Sequence, residues 1–136
     1  MERLAAALLF AVCASLFGTA AFAQKPEDAI KFRRGVMAVI GWNFGPMAAM
    51  AKGDRPYDAA AFARHAEIVA FMSKLPLEGF VPGSDTGETK AKLEKMQAEV
   101  AKLAEVAKTP DLNTSKAQLG ETGKACKACH DKYRNK

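Results

Sequence analysis

Histidine and cysteine are scarce in this sequence, and their scarcity limits the kinds of site that it can form. The chain has two histidines and three cysteines among 136 residues. A structural zinc site needs four ligands, and beyond one cluster near the C-terminus only His65 and Cys13 could contribute. Cys13 lies in a segment that we expect to be removed from the mature chain. A structural zinc site is therefore disfavoured.

Several other patterns are also missing. No segment alternates apolar and polar residues as a strand would, which argues against the βαβ setting of a dithiol oxidoreductase. The net charge is +5, but the lysines and arginines are scattered among acids. We interpret them as solvated helix faces rather than as a nucleic-acid-binding surface. A constellation for acid–base or nucleophilic catalysis is absent too, so we expect no enzyme activity.

Residues 1–23 are predicted to be a secretory signal peptide. Arg3 supplies a weak basic start, an apolar run rich in leucine and alanine follows, and Ala23 ends an A-x-A cleavage site. The apolar run is shorter than the ~20 residues that a membrane span needs. Cleavage would leave residues 24–136, a length typical of one domain. We therefore expect an exported protein with no membrane span after cleavage.

The pentapeptide CKACH, residues 126–130, is the most informative motif in the sequence. C-x-x-C-H is the signature of covalent c-type haem attachment. Residues i, i+3 and i+4 of a helix share one face, so Cys126 and Cys129 can both form thioethers with the vinyl groups of one haem. His130 can then bind the iron as the proximal ligand. We predict one covalently bound haem c per chain.

Two haem-free alternatives exist for the cysteine pair. A disulfide needs Cβ atoms within ~4.5 Å of each other, which is poor geometry for residues three apart on a helix. A redox dithiol stays open as the second alternative. Export favours haem, because the thiols and the haem must meet outside the cytoplasm for thioethers to form.

Prolines divide the mature chain into four helical patterns. Asp58 is predicted to cap the second helix, and Gly45-Pro46 is predicted to kink or briefly break the first. The last helix is predicted to begin near Asn113 or Thr114 as its cap. The first three helices should cover about residues 27–51, 58–75 and 89–108.

The apolar residues of these helices predict an all-α fold, an antiparallel four-helix bundle with a covalently attached haem near the C-terminus. The first helix carries two apolar stripes, more than one core face requires. It is therefore either central in the bundle or also in contact with a second subunit, and we favour the second. The last helix has few large aliphatic residues, and a haem against it would supply the missing bulk. The third helix has the most regular heptad, formed by Leu93, Met96, Val100, Leu103 and Ala107.

With these features the chain resembles the cytochrome c′ family, class II of the c-type cytochromes, over essentially its whole mature length. The resemblance implies a periplasmic bacterial protein, a homodimer joined through its first two helices, and five-coordinate high-spin iron with His130 as the sole protein ligand. The stretches that carry it are KPEDAIKFR at residues 25–33, LPLEGFVPG at 75–83 and GKACKACHDKYR at 123–134.

The resemblance also assigns the residues around the haem. Met37 would roof the face opposite His130, Arg33 would lie near a haem propionate, and Arg134 would lie beside the proximal histidine. The resemblance also implies that Phe32 and Phe80 form walls of the haem pocket.

The role of Met37 at the iron decides between two predicted functions. If its sulfur binds iron, the protein is a low-spin, six-coordinate electron carrier, since His/Met ligation suits electron transfer. If Met37 only packs over the iron, the site can bind NO or CO reversibly, but it disfavours O₂, which needs a hydrogen-bond donor. We expect gas binding combined with electron transfer, and the mild positive charge favours an acidic redox partner of unknown identity. His65 is interpreted as a solvated side chain rather than a sixth ligand.

Overall fold

The computed structural model describes residues 25–79 and 87–134, and within these ranges the chain forms helices and no strands. The helices form an antiparallel four-helix bundle, as the sequence predicts. None of them is long and apolar enough to cross a membrane. In chain order they are α1 (Pro26–Lys52), α2 (Ala59–Met72), α3 (Gly87–Val106) and α4 (Leu112–Tyr133), with a short 3₁₀ turn (Pro76–Gly79) after α2.

The four helices do not pack equally closely around the bundle. α1 packs mainly on α2, and α4 packs mainly on α3, while α2 and α3 join the two pairs. The 3₁₀ turn packs on α1. α1 and α4 touch each other least of the four neighbouring pairs. The seam between α1 and α4 is therefore the loosest side of the bundle.

α1 begins and ends with clear local signals. Pro26 occupies its first turn, where the missing N–H does no harm. At the other end Gly53 adopts a left-handed conformation with φ of 85°. The N–H groups of Gly53 and Asp54 bond to the carbonyls of Met50 and Ala49, a Schellman motif that closes the helix.

The predicted break at Pro46 is wrong, because α1 runs without interruption from Pro26 to Lys52, while the alternative of a kink stays a prediction. Proline removes one intrahelical hydrogen bond. Asn43 and Met47 are buried on either side of it, and we attribute the continuity of the helix to this packing. The apolar face of α1 thus spans the full height of the bundle.

Side-chain caps fix the starts of α2 and α4. Asp58 accepts a hydrogen bond from the N–H of Ala61 at 2.9 Å, which confirms the predicted cap. For α4 the cap is Asp111, whose carboxylate accepts from the N–H of Thr114 at 2.6 Å. The predicted cap at Asn113 or Thr114 is therefore wrong by two or three residues. Ser115, in the first turn that Asp111 caps, is buried.

The core is apolar along α1, α2 and α3, and more polar along α4. Every residue of the predicted α3 heptad is buried. In α4 the buried residues include Thr122, which donates to the carbonyls of Gln118 and Glu99 at 2.9 and 3.2 Å. Gln118 also bonds to Glu99. Polar bonds thus hold α4 to α3, while the opposite face of α4 looks towards α1.

Candidate haem site

Two adjoining clefts open along the seam between α1 and α4. Their volumes are about 400 and 460 Å³, within the range of ligand-binding pockets. We call them the first and second clefts. Both are lined by Met37 and Gly41 from α1 and by His130 and Arg134 from α4. Because the two clefts share these four lining residues, they form one site.

The CKACH motif lies on α4 at this seam. Cys129 is buried and lines the first cleft, while Cys126 is half-buried and lines the second. His130 lines both. The two thiols are free and do not form a disulfide. The i, i+3, i+4 spacing thus brings both sulfurs and the imidazole to one site, as the sequence predicts.

The thiols are not activated as nucleophiles. Burial raises the pKa of the Cys126 thiol, and the nearby Cys129 raises it further. Burial also raises the pKa of Cys129, although Lys92 and Arg33 oppose this effect. The motif lies near the C-terminal end of α4, where the helix dipole disfavours a negative charge. Redox-active dithiols have lowered pKa values instead, so these cysteines differ from those of a dithiol oxidoreductase.

The imidazole of His130 is suited to binding a metal. Partial loss of water lowers its pKa, the positive charge of Arg134 lowers it further, and Asp131 opposes the shift. The neutral ring, which carries a free nitrogen lone pair, is therefore favoured near pH 7. Asp131 is itself paired with Lys127, at 2.6 Å.

Arg33 is fixed beside the first cleft by the turn that follows α2. Its Nη1 donates to the carbonyl of Gly79 at 3.0 Å. The two segments are so close that a Cβ on Gly79 would lie 2.7 Å from the Cβ of Arg33. Only glycine permits this approach, so Gly79 holds the turn against α1 beside the cleft.

Three guanidinium groups line the first cleft. Arg33 and Arg34 come from α1 and Arg134 from α4. Guanidinium groups bind carboxylates in a planar, two-pronged fashion. The cleft therefore combines a cationic rim with apolar walls such as Leu93, which is buried, and suits a flat apolar ligand with carboxylate groups.

Two residues considered from the sequence do not line the clefts, and a third lies outside the described residues. Phe32 is 38% exposed and lines neither cleft. It precedes Met37 by five residues, a rotation of about 140° around a helix, so it faces away from the site. Phe80 lies outside the described residues. His65 lines neither cleft, and its Nδ1 donates to Oδ1 of the buried Asn43 at 2.9 Å.

Sequence reasoning missed some residues of the site. Arg34 lines the first cleft, and its position three residues before Met37 was the available signal, since residues i and i+3 share a helix face. Phe44 lines the second cleft. It follows Met37 by seven residues, about two helical turns, so the two residues share a helix face. Tyr133 also lines the first cleft.

The residues at this seam fit a covalently bound haem. The two thiols can form thioethers, the imidazole can bind the iron, and the arginines can pair with the propionates. Within residues 25–79 and 87–134, no group of three or more histidine, cysteine or acidic side chains could hold a bare metal ion. Iron at His130 would therefore depend on a macrocycle for its other ligands.

Comparison with known proteins identifies the family. The profile of the family described as Cytochrome C′ matches residues 28–134. A cytochrome c′ of Rubrivivax gelatinosus is 42% identical, and the alignment covers 83% of this chain and 98% of the relative. A solved cytochrome c prime from Shewanella frigidimarina is 41% identical with a TM-score of 0.74, covering 79% of this chain and 94% of that one.

A solved nitric oxide complex of a cytochrome c prime mutant from Alcaligenes xylosoxidans is also similar. Its identity is 36% and its TM-score 0.74, and the match covers 81% of this chain and 95% of that one. The family match, the relatives and the fold agree with the motif and with the geometry of the clefts. The chain therefore belongs to the cytochrome c′ family, and its cofactor is haem c, one covalently bound group per chain.

Proposed function

We propose that this chain holds its haem through Cys126 and Cys129, with His130 as the proximal ligand, and that it binds NO or CO reversibly in addition to exchanging electrons. Haem c supplies an iron that accepts one electron and coordinates a small gas. The observation that carries the proposal is that Met37 of α1 and His130 of α4 line the same two clefts. An iron bound by His130 would have Met37 on the other side of the seam.

Each residue of the site has a distinct task in this proposal. Cys126 and Cys129 bind the macrocycle, so that it cannot dissociate from a small bundle. Arg33, held by Gly79, pairs with a propionate. Burial lowers the pKa of His130, and Arg134, which lines both clefts with it, lowers this pKa further and so favours the neutral imidazole.

Met37 sets the preference for ligands. It is half-buried and flexible, so it can move aside for a gas molecule without disrupting the core. Its thioether donates no hydrogen bond, which disfavours O₂ relative to NO and CO. A solved relative is a nitric oxide complex, which supports NO as a ligand of this chain.

Electron transfer by six-coordinate iron is the second candidate function. It is favoured by the same placement of Met37, because Met37 lines both clefts together with His130 and a methionine sulfur can bind haem iron. In this case Met37 is the sixth ligand and no site is left for a gas.

An absorption spectrum of the ferrous protein separates the two candidates. Five-coordinate iron gives a broad band that shifts when CO is added, and this is the result that we expect. Sharp, split α and β bands without added gas would mean six-coordinate iron and would refute gas binding. His65→Ala serves as the control, since His65 lies away from the clefts and its loss should leave the spectrum unchanged.

We further propose that the protein acts in the periplasm after removal of residues 1–23, and that it is a carrier and binding protein rather than an enzyme. The leader lies outside the described residues, so the support is its sequence pattern and the need to join haem and thiols outside the cytoplasm. N-terminal sequencing of the exported protein, with Gln24 as the expected first residue, tests this assignment.

A homodimer joined through α1 and α2 completes the proposal. Trp42 is 81% exposed, with Val39 and Phe32 also exposed on α1 and Phe71 exposed on α2. Exposed large apolar residues on two neighbouring helices are typical of an interface. Phe32, which faces away from the haem clefts, fits this face.

A further inference from the structure

The seam between α1 and α4 continues beyond the haem clefts into a third cavity, which we call the end groove. Its volume is about 360 Å³, and it shares Phe44 and Gly123 with the second cleft. Ala48 and Leu119 give it apolar walls, and Lys116 is one of the two lysines that complete its lining. The end groove is therefore a mostly apolar groove, open to solvent, that adjoins the haem site.

Phe44 forms the boundary between the end groove and the second cleft. Its ring is half-buried and packs against the core. A Cβ added to Gly123 would lie 3.8 Å from Cζ of Phe44, so the ring stands directly opposite this glycine of α4. Phe44 follows Met37 by seven residues, which places the two side chains on one helix face about two turns apart.

We propose that the end groove is the route by which a diatomic gas reaches the iron, and that the ring of Phe44 is its gate. This inference rests on the gas binding proposed above. A haem held by Cys126 and Cys129 takes up the first and second clefts. The end groove adjoins this space at Phe44 and Gly123, and Phe44 lies on the face of α1 that also carries Met37.

The chemistry of the end groove suits NO and CO. Both are small and nearly apolar, and apolar cavities in proteins admit molecules such as xenon. Gly120 and Gly123 add no side chains to the α4 wall, so the ring of Phe44 has room to swing. Phe44 is not an iron ligand in either candidate function, so its proposed role is to control the rate of gas entry.

Filling the end groove at Ala48 tests the route without changing a residue that lines the haem clefts. Ala48→Phe places a ring in the groove one turn from Phe44, while Phe44→Leu replaces the gating ring with a smaller side chain. Ala101→Phe is the control, because Ala101 is an exposed residue of α3 and lines neither the clefts nor the groove. CO association is followed after flash photolysis of the ferrous protein. We expect Ala48→Phe to slow it about tenfold, Phe44→Leu to speed it, and Ala101→Phe to change nothing.

A second readout does not depend on the haem reaction. A crystal of the protein under xenon pressure should show a xenon atom beside Ala48, and this atom should be absent from Ala48→Phe. An unchanged CO rate in Ala48→Phe, or no xenon in the wild-type groove, would overturn the route while leaving gas binding intact. A wild-type protein that binds no CO would refute both the proposed function and this inference.

Discussion

Arg33 and Gly79 lie in direct contact across the edge of the first cleft, with Nη1 of Arg33 donating to the Gly79 carbonyl at 3.0 Å. A side chain at Gly79 has no room, because its Cβ would lie 2.7 Å from that of Arg33. The contact joins the loop after α2 to the first helix. The position of Arg33 in the haem site therefore depends on the correct folding of this turn.

Gly79→Ala should destabilise the protein. The added methyl group must push the turn away from α1, and overpacking of this kind costs about 1–3 kcal/mol. Gly35→Ala is the matched control, since a Cβ at this position in α1 meets nothing within 4 Å. Alanine is the better helix former, so the control should be stabilised by up to ~1 kcal/mol. Urea unfolding measures both, and equal free energies for the two variants would contradict the close contact.

Met37→Ala should open the site. Removal of the thioether leaves a smaller side chain over the iron, so CO association should become about tenfold faster or more. Met37→Leu is the control, because it keeps the volume and removes the sulfur. If the wild-type spectrum is unchanged in Met37→Leu, the sulfur does not bind iron. An association rate that is the same in all three proteins would show that Met37 does not cover the site.

Trp42→Glu should weaken the proposed dimer. A tryptophan at the centre of an interface commonly contributes about 2 kcal/mol or more, which corresponds to at least about thirtyfold in the dissociation constant. Sedimentation equilibrium measures this constant directly. Ala98→Glu, at an exposed position of α3, should leave it unchanged. A wild-type protein that stays monomeric at every concentration would rule out the dimer.

Asp111 should make the stability of α4 depend on pH. The hydrogen bonds from Thr114 hold the pKa of the Asp111 carboxyl below its ordinary value of 3.8. A lowered pKa means that the carboxylate stabilises the folded state fully above the unfolded pKa, and that this contribution is lost as pH falls through the folded pKa. The stabilisation by Asp111 is therefore present at pH 7 and disappears in strong acid.

Two variants separate the charge of Asp111 from its role as a cap. Asp111→Asn keeps an oxygen that can cap the helix and removes the charge, whereas Asp111→Ala removes both. The difference in melting temperature between wild type and Asp111→Asn should be larger at pH 7 than at pH 3. A difference that stays constant between these pH values would show that the charge contributes nothing.

The sequence predicted those features that depend on local chemistry. The α3 heptad is buried at every position because a strict apolar repeat has only one helical solution. Asp58 caps α2 as expected. The CKACH motif brings Cys126, Cys129 and His130 to one site because helical geometry alone fixes their spacing.

Features that depend on tertiary contacts were not accessible in the same way. The segment DLNTS offers several possible caps, and Asp111 is the one used. Ser115 of the same segment is buried, and its hydroxyl lies 3.3 Å from that of Tyr57 in another part of the chain. The continuity of α1 through Pro46 and the bond between His65 and Asn43 also depend on how α1 packs on α2. No local pattern encodes these contacts.

The most direct test of the account is the mass of the purified exported protein, measured under denaturing conditions. The account predicts the mass of residues 24–136 plus one haem, with neither cysteine open to alkylation. A variant with alanine at both Cys126 and Cys129 should have the mass of the bare polypeptide. A wild-type mass equal to that of the bare chain, with both thiols alkylated, would contradict the covalent attachment on which every functional proposal here depends.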